Sequence, residues 1–142
     1  MMQIKSYKSI NGIGFDASES DVIACFGQPL HRSQNREKEH EFNFSDFILR
    51  FDSKTGTLRE CTLLPNCSGM INGKLIVWTD DFLTWLTLED PDLMEVLGFL
   101  VSLKLGIAVA GFHDGDESHK AIHAFRYGDW DMFRNRMHSF KQ

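Results

Sequence analysis

The chain has 142 residues, 42% of them hydrophobic and twelve of them Phe, with 15 basic residues against 20 acidic ones and a net charge of −5. That length and composition suit one folded domain spanning 1–142 and exclude a disordered chain. The acidic balance argues against nucleic-acid binding, and the longest apolar region, 96–112, is too interrupted by Ser102, Lys104 and three glycines to span a membrane.

A first helix is expected after Ser18, a capping residue with Asp21 three positions on, and Val22, Ile23 and Phe26 form its apolar face. Gly27 and Pro29 stop it. Arg32, Arg36 and Lys38, interleaved with Glu37, Glu39 and Glu41, read as a solvated polar connector. Alternation at Phe42 and Phe44, then at Phe47, Leu49 and Phe51, predicts a hairpin, and 57–64 adds a third strand after the turn at 52–56, giving an antiparallel meander. Another strand is expected over 74–78. Asp80 is placed to cap a helix carrying Phe82, Leu83 and Leu86 inward, and Asp90-Pro91 to start a further one with Leu93, Met94, Leu97 and Leu100 on one face. A strand over 106–112, an acidic turn at 114–117 and a return strand over 121–126 follow. A last helix from Asp129 would carry Trp130, Phe133, Met137 and Phe140. The expected fold class is α+β: a single domain whose antiparallel β-sheet, a meander plus a C-terminal hairpin, packs with about four helices.

Catalytic signatures are missing from the motif record: there is no GxSxG, no GxxxxGK[ST], and only a fragment, Gly12-Ile-Gly14, where a dinucleotide fingerprint would need more. Cys25 lies in the first predicted helix and reads as inert. Cys25, Cys61 and Cys67 lack CxxC spacing, which suits a reducing compartment and free thiols, with a Cys61–Cys67 bridge as the alternative. The opening residues contain no apolar stretch of the secretory kind, so a cytoplasmic protein is expected.

Three histidines, His113, His119 and His123, fall within eleven residues that also hold Asp114, Asp116 and Glu117. His119 and His123 converge on one metal ion only if the segment is helical, because residues four apart on a strand lie about 13 Å from each other. Gly115 and the flanking strand signals favour a solvated acidic turn, so no cofactor is expected. A metal-dependent hydrolase or metal-binding regulator using these histidines is the alternative.

The charge is uneven. From Leu75 to Glu117, 43 residues hold nine acidic side chains and one base, Lys104. Asp80, Asp81 and Asp90 are partly explained as helix-start residues. The functional reading is a surface that attracts a basic protein through Asp80, Asp81, Glu89, Asp90, Asp92, Asp114, Asp116 and Glu117, with Trp85 either an aromatic anchor or a core residue.

The helix Ser20-Asp-Val-Ile-Ala-Cys-Phe, the stop Gly27-Gln-Pro29, and the strands Glu41-Phe-Asn-Phe and Phe47-Ile-Leu-Arg-Phe carry a resemblance. Over about 14–64 the chain resembles the helix-plus-meander unit of β-lactamase-inhibitor protein and of SmpA/BamE-type lipoproteins. In style, over its whole length, it resembles the immunity proteins of bacterial polymorphic and contact-dependent toxin systems. That likeness implies a non-catalytic cytoplasmic protein whose partner is a cognate toxin domain, with neither nucleic acid nor membrane involved.

Overall fold

Short strands dominate the chain. A computed structural model describes residues 1–141. Strands β1 (Met2–Lys5), β2 (Ser9–Ile10) and β3 (Ile13–Gly14) precede helix α1 (Glu19–Phe26). Strands β4 (His31–Gln34), β5 (His40–Asn43), β6 (Phe47–Phe51), β7 (Leu58–Leu63), β8 (Gly69–Ile71) and β9 (Lys74–Leu75) lead to helix α2 (Asp80–Glu89). Strands β10 (Met94–Val96), β11 (Phe99–Ser102), β12 (Ile107–Ala110), β13 (Ala121–Phe125) and β14 (His138–Ser139) complete the chain, with 3₁₀ turns at Glu117–His119 and Asp131–Arg136.

Nine strands form one antiparallel sheet in the order β14-β10-β11-β12-β13-β7-β6-β5-β4, and the other five form a small sheet, β3-β2-β1-β8-β9. In the small sheet β1 and β8 run parallel. The expected meander is therefore present as β5-β6-β7, and the C-terminal hairpin joins it where β13 pairs with β7.

Strand periodicity sorts the large sheet into two chemically distinct faces. One row of cross-strand neighbours runs Phe42, Leu49, Cys61, Ala124, Ile107, and the next runs Leu63, Ile122, Val109, Leu100; every one of these is buried. Against this inner face pack Met2, Ile4, Ile10 and Ile71 of the small sheet, Val22 of α1, and Phe82, Leu83 and Leu86 of α2. Each such fully buried side chain contributes roughly 1.5–3 kcal/mol of transfer free energy.

Helix α1 forms as the residues direct: Ser18 Oγ accepts from Asp21 N, Asp21 returns the bond to Ser18 N, and Gly27 closes the helix at φ 83°. Its Cys25 is exposed rather than sheltered in an apolar face, because only Val22 of this short helix is fully buried. Cys61 and Cys67 are buried, and all three thiols are free. Helix α2 buries the three expected residues, but its N-cap is Thr79, and Asp80 and Asp81 occupy the first turn, where the macrodipole favours acids.

Two predicted helices are replaced. Residues 91–100 form the β10-β11 hairpin, turning on Leu97 (φ 53°) and Gly98 (φ 84°). Val96, Phe99 and Val101 prefer strand, and the spacing of Leu93, Leu97 and Leu100 only imitates a helical face. Asp90 is thus no cap of a second helix. Instead its carboxylate is buried, accepting from Ser102 Oγ at 2.6 Å and Asp92 N at 2.9 Å. After Asp129 the chain forms the 3₁₀ turn at Asp131–Arg136 and then β14. Trp130, Phe133 and Met137 pack on Val96, Val101, Ala108 and Phe125 of the outer face, while Phe140 joins the main core. The fold is α+β as expected, with two α-helices among the described residues in place of about four.

Strand β4, read as polar connector, is an edge strand with all four residues exposed. The expected strand over 74–78 is shortened to Lys74–Leu75.

Gly111 sits where β12 enters the acidic loop at φ 83°, and a Cβ there would lie 2.6 Å from both Asp116 O and Lys120 Cα. Gly111→Ala combines backbone strain with a clash against main chain, so it should cost at least about 2 kcal/mol in urea unfolding.

Candidate functional site

The outer face of the large sheet carries a charged lattice at its centre. Register places Glu41 of β5, Arg50 of β6 and Glu60 of β7 side by side, with Thr62 of β7 beside His123 of β13 in the next row. Between Arg50 and Phe51 the pairing with β7 shifts, so that Glu60 faces Arg50, Leu58 faces Phe51, and Arg59 has no partner opposite it. A bulge of this kind breaks the alternation of side chains. Arg59 and Glu60 therefore both reach the same groove while Leu58 and Cys61 stay in the core.

Each arginine is held by more than one carboxylate. Arg50 donates through Nε to Glu41 at 2.6 Å and through Nη1 to Glu60. Arg59 grips Glu39 through Nε and Nη2 and reaches Asp129 at 3.4 Å. Arg126 bonds Asp52 at 2.8 Å and Asp129 at 3.0 Å. Charge-assisted, partly buried bonds of this kind are the strong class, and they fix side chains that would otherwise wander.

The lattice sets the protonation of its acids. Burial works to raise the Glu60 carboxyl, but the His123 imidazole 3.6 Å away and the charges of Arg50 and Arg59 outweigh it and hold the group at about 2. Asp52 is also held at about 2, chiefly by its hydrogen bond from Arg126 and by the Lys54 amide. Asp129 moves the other way, because burial exceeds the help it receives from Arg126 and Arg59.

These groups line a groove of about 760 Å³. Opposite its polar wall stand Leu97, Phe99, Trp130, Met132 and Phe133, with Trp130 5.5 Å from Phe99 and 5.4 Å from Phe133 between ring centroids. His123 contributes to the floor, its Nδ1 2.9 Å from Thr62 Oγ1 and its ring edge-on to Phe99.

The three histidines grouped by sequence go to three places. His113 is turned inward, with Nε2 3.2 Å from Glu95, its ring against Phe140 and a buried Nδ1 that has no partner. His119 is exposed and bonds Asp116 at 2.6 Å, and His123 faces the groove. The segment is loop, 3₁₀ turn and strand, so the helical geometry that would bring His119 and His123 together does not form. Among the described residues no group of three or more His, Cys, Asp or Glu side chains is arranged to hold a metal ion.

The acidic residues divide into two sets. Lys120, buried at the end of the loop, donates from Nζ to Trp78 O at 3.0 Å and to Glu117 at 2.9 Å, while Phe112 packs on Trp78 and Phe82. These contacts hold Glu117 and the end of the acidic loop beside Trp78, two residues before α2 begins with Asp80 and Asp81. Glu89 and Asp92 lie at the other end of α2, roughly 15 Å away along its axis. Asp90, expected on this surface, is buried, its carboxylate taken up by Ser102 and the Asp92 amide. Trp85 is half-buried against Phe82 at 5.5 Å and packs on the main core.

No family model matches the chain, and searches of curated proteins and of solved structures return no significant match.

The groove was missed by the motif search, although alternation in Phe47-Ile-Leu-Arg-Phe51 and in Leu58-Arg-Glu-Cys-Thr-Leu63 marks Arg50 and Glu60 as facing away from the core. Both Glu60 and Asp52 are depressed below their unfolded values of about 4, so their stabilisation is present above that range and disappears as pH falls toward 2. Stability should therefore drop between about pH 5 and pH 2, and Glu60→Gln should flatten that dependence by on the order of 2 kcal/mol, read from urea midpoints across pH.

Proposed function

We propose that this protein is an immunity-type inhibitor, a cytoplasmic binding protein that neutralises a basic toxin domain by direct contact. The observation that carries the reading is the acidic corner where Lys120 ties the loop of Asp114, Asp116 and Glu117 to Trp78, just ahead of Asp80 and Asp81. Four of these five are exposed, and Lys120, which pairs with Glu117, is itself buried. A partner approaching this corner meets carboxylates without a compensating surface ammonium from the same loop. Such a field accelerates encounter with a basic surface and disfavours acidic competitors. The excess continues along α2, where Lys104 spends its ammonium on Glu89 O at 2.7 Å.

An inhibitor of this type needs no reacting group of its own, only a preformed surface. The rigidity of the fold supports that role, because the corner is tied to the core through Phe112, Trp78 and Phe82. Among the described residues no helix is long and apolar enough to cross a membrane.

Replacing Asp114, Asp116 and Glu117 together by lysine should lower the association rate with the cognate basic domain at least about tenfold at low salt, with a smaller effect at 0.5 M salt. Stopped-flow association at two ionic strengths reads this directly. An unchanged rate would remove the corner as the contact surface.

A further inference from the structure

We infer that the groove on the outer face is a receptor for one side-chain cation, the guanidinium or ammonium of an arginine or lysine residue. That this residue belongs to the neutralised partner rests on the reading above; the preference of the groove for such a group rests on its own chemistry.

The lining holds six carboxylates, Glu37, Glu39, Glu41, Asp52, Glu60 and Asp129, against four cations, Arg50, Lys54, Arg59 and Arg126. All three guanidinium groups are already engaged with two or more of those carboxylates. An anionic ligand would meet guanidinium groups whose charge is already balanced by built-in carboxylates. A carboxylate has about four lone-pair sites, and most of these six groups use only part of theirs, so the groove has spare acceptors and its carboxylates outnumber its cations. Glu37 is exposed and has no ion-pair partner among the described residues. Lys54 is the one lining cation without a carboxylate partner among those residues, and it stands on the turn at the rim.

The opposite wall suits the rest of such a side chain. Trp130, Phe133 and Phe99 offer ring surface to a cation, and an aliphatic stem finds Leu97 and Met132, which are 52% and 73% exposed. Carboxylates on one side and aromatic faces on the other are the two features that recognise a long-stemmed cation, and here they bound a single groove. Its volume falls within the range of small-ligand sites.

The test is a titration of ¹⁵N-labelled protein with N-acetyl-arginine amide, with the neutral glutamine amide and the anionic aspartate amide as controls. The arginine compound should shift the Trp130 indole N–H and the amides of 97–99, saturating at about 1–10 mM. Glu37→Lys should weaken binding about fivefold, Lys54→Gln should strengthen it about twofold, and Met132→Ala should weaken it without altering charge. The protein with lysines at 114, 116 and 117 should bind the arginine compound as the parent does. Absence of shifts, equal shifts from either control, or shifts confined to 114–117 would overturn the groove assignment. A corner variant that binds the arginine compound normally and also associates with its partner at the parent rate would instead remove the corner as the contact surface and leave the groove standing.

Discussion

Strand β7 serves two solvents at once. Its Leu58, Cys61 and Leu63 lie in the core, while Glu60 and Thr62 sit on the other side of the same backbone beneath the groove. An unbroken strand would send Arg59 to the face occupied by Cys61 and Leu63, where a guanidinium has no partner and a desolvation penalty of several kcal/mol. The irregular register opposite Arg50 and Phe51 removes that conflict. It delivers Arg59 beside Glu39 and Asp129, and with it the lattice that orders the rest of the outer face.

The same face is finished in two ways. Toward β10 and β11 it is apolar and covered by the 3₁₀ segment carrying Trp130, Phe133 and Met137. Toward β5 and β6 it is ionic and left open. The groove is the seam between these halves, which is why one wall is aromatic and the other carboxylate. The acidic corner lies elsewhere, held to the inner core by Phe112, so the molecule presents two negatively biased regions built by separate means.

Much of this was legible from residue order alone. The capping box at Ser18 and Asp21, the meander and the inward face of α2 all follow local rules that tertiary packing does not contradict. The two lost helices show where such rules fail, because Leu93, Leu97 and Leu100 match a helical face and a hairpin around Leu97-Gly98 equally well. The small sheet left a clearer trace that went unread: Asn11-Gly12 and Asn72-Gly73 both form two-residue turns with positive φ, the strongest short-range hairpin signal available. The groove is different in kind. Arg50, Arg59 and Arg126 are 9 and 67 residues apart in sequence; the pairing of β6 with β7 joins the first two, and only the pairing of β7 with β13 brings Arg126 to them.

That pairing also governs when the groove can exist. Strands β7 and β13 are separated by the whole of β8 to β12, so their contact is among the most non-local in the chain and closes a long loop before it is rewarded. Local hairpins such as β5-β6 and β10-β11 can form before it. The groove draws one wall from β5 to β7 and the other from β11 onward, so it is assembled only once the two halves of the sheet have joined. Occupancy of the groove is accordingly coupled to folding of the whole sheet rather than to the fraying of one loop, and any ligand held there acts as a clamp on the native state.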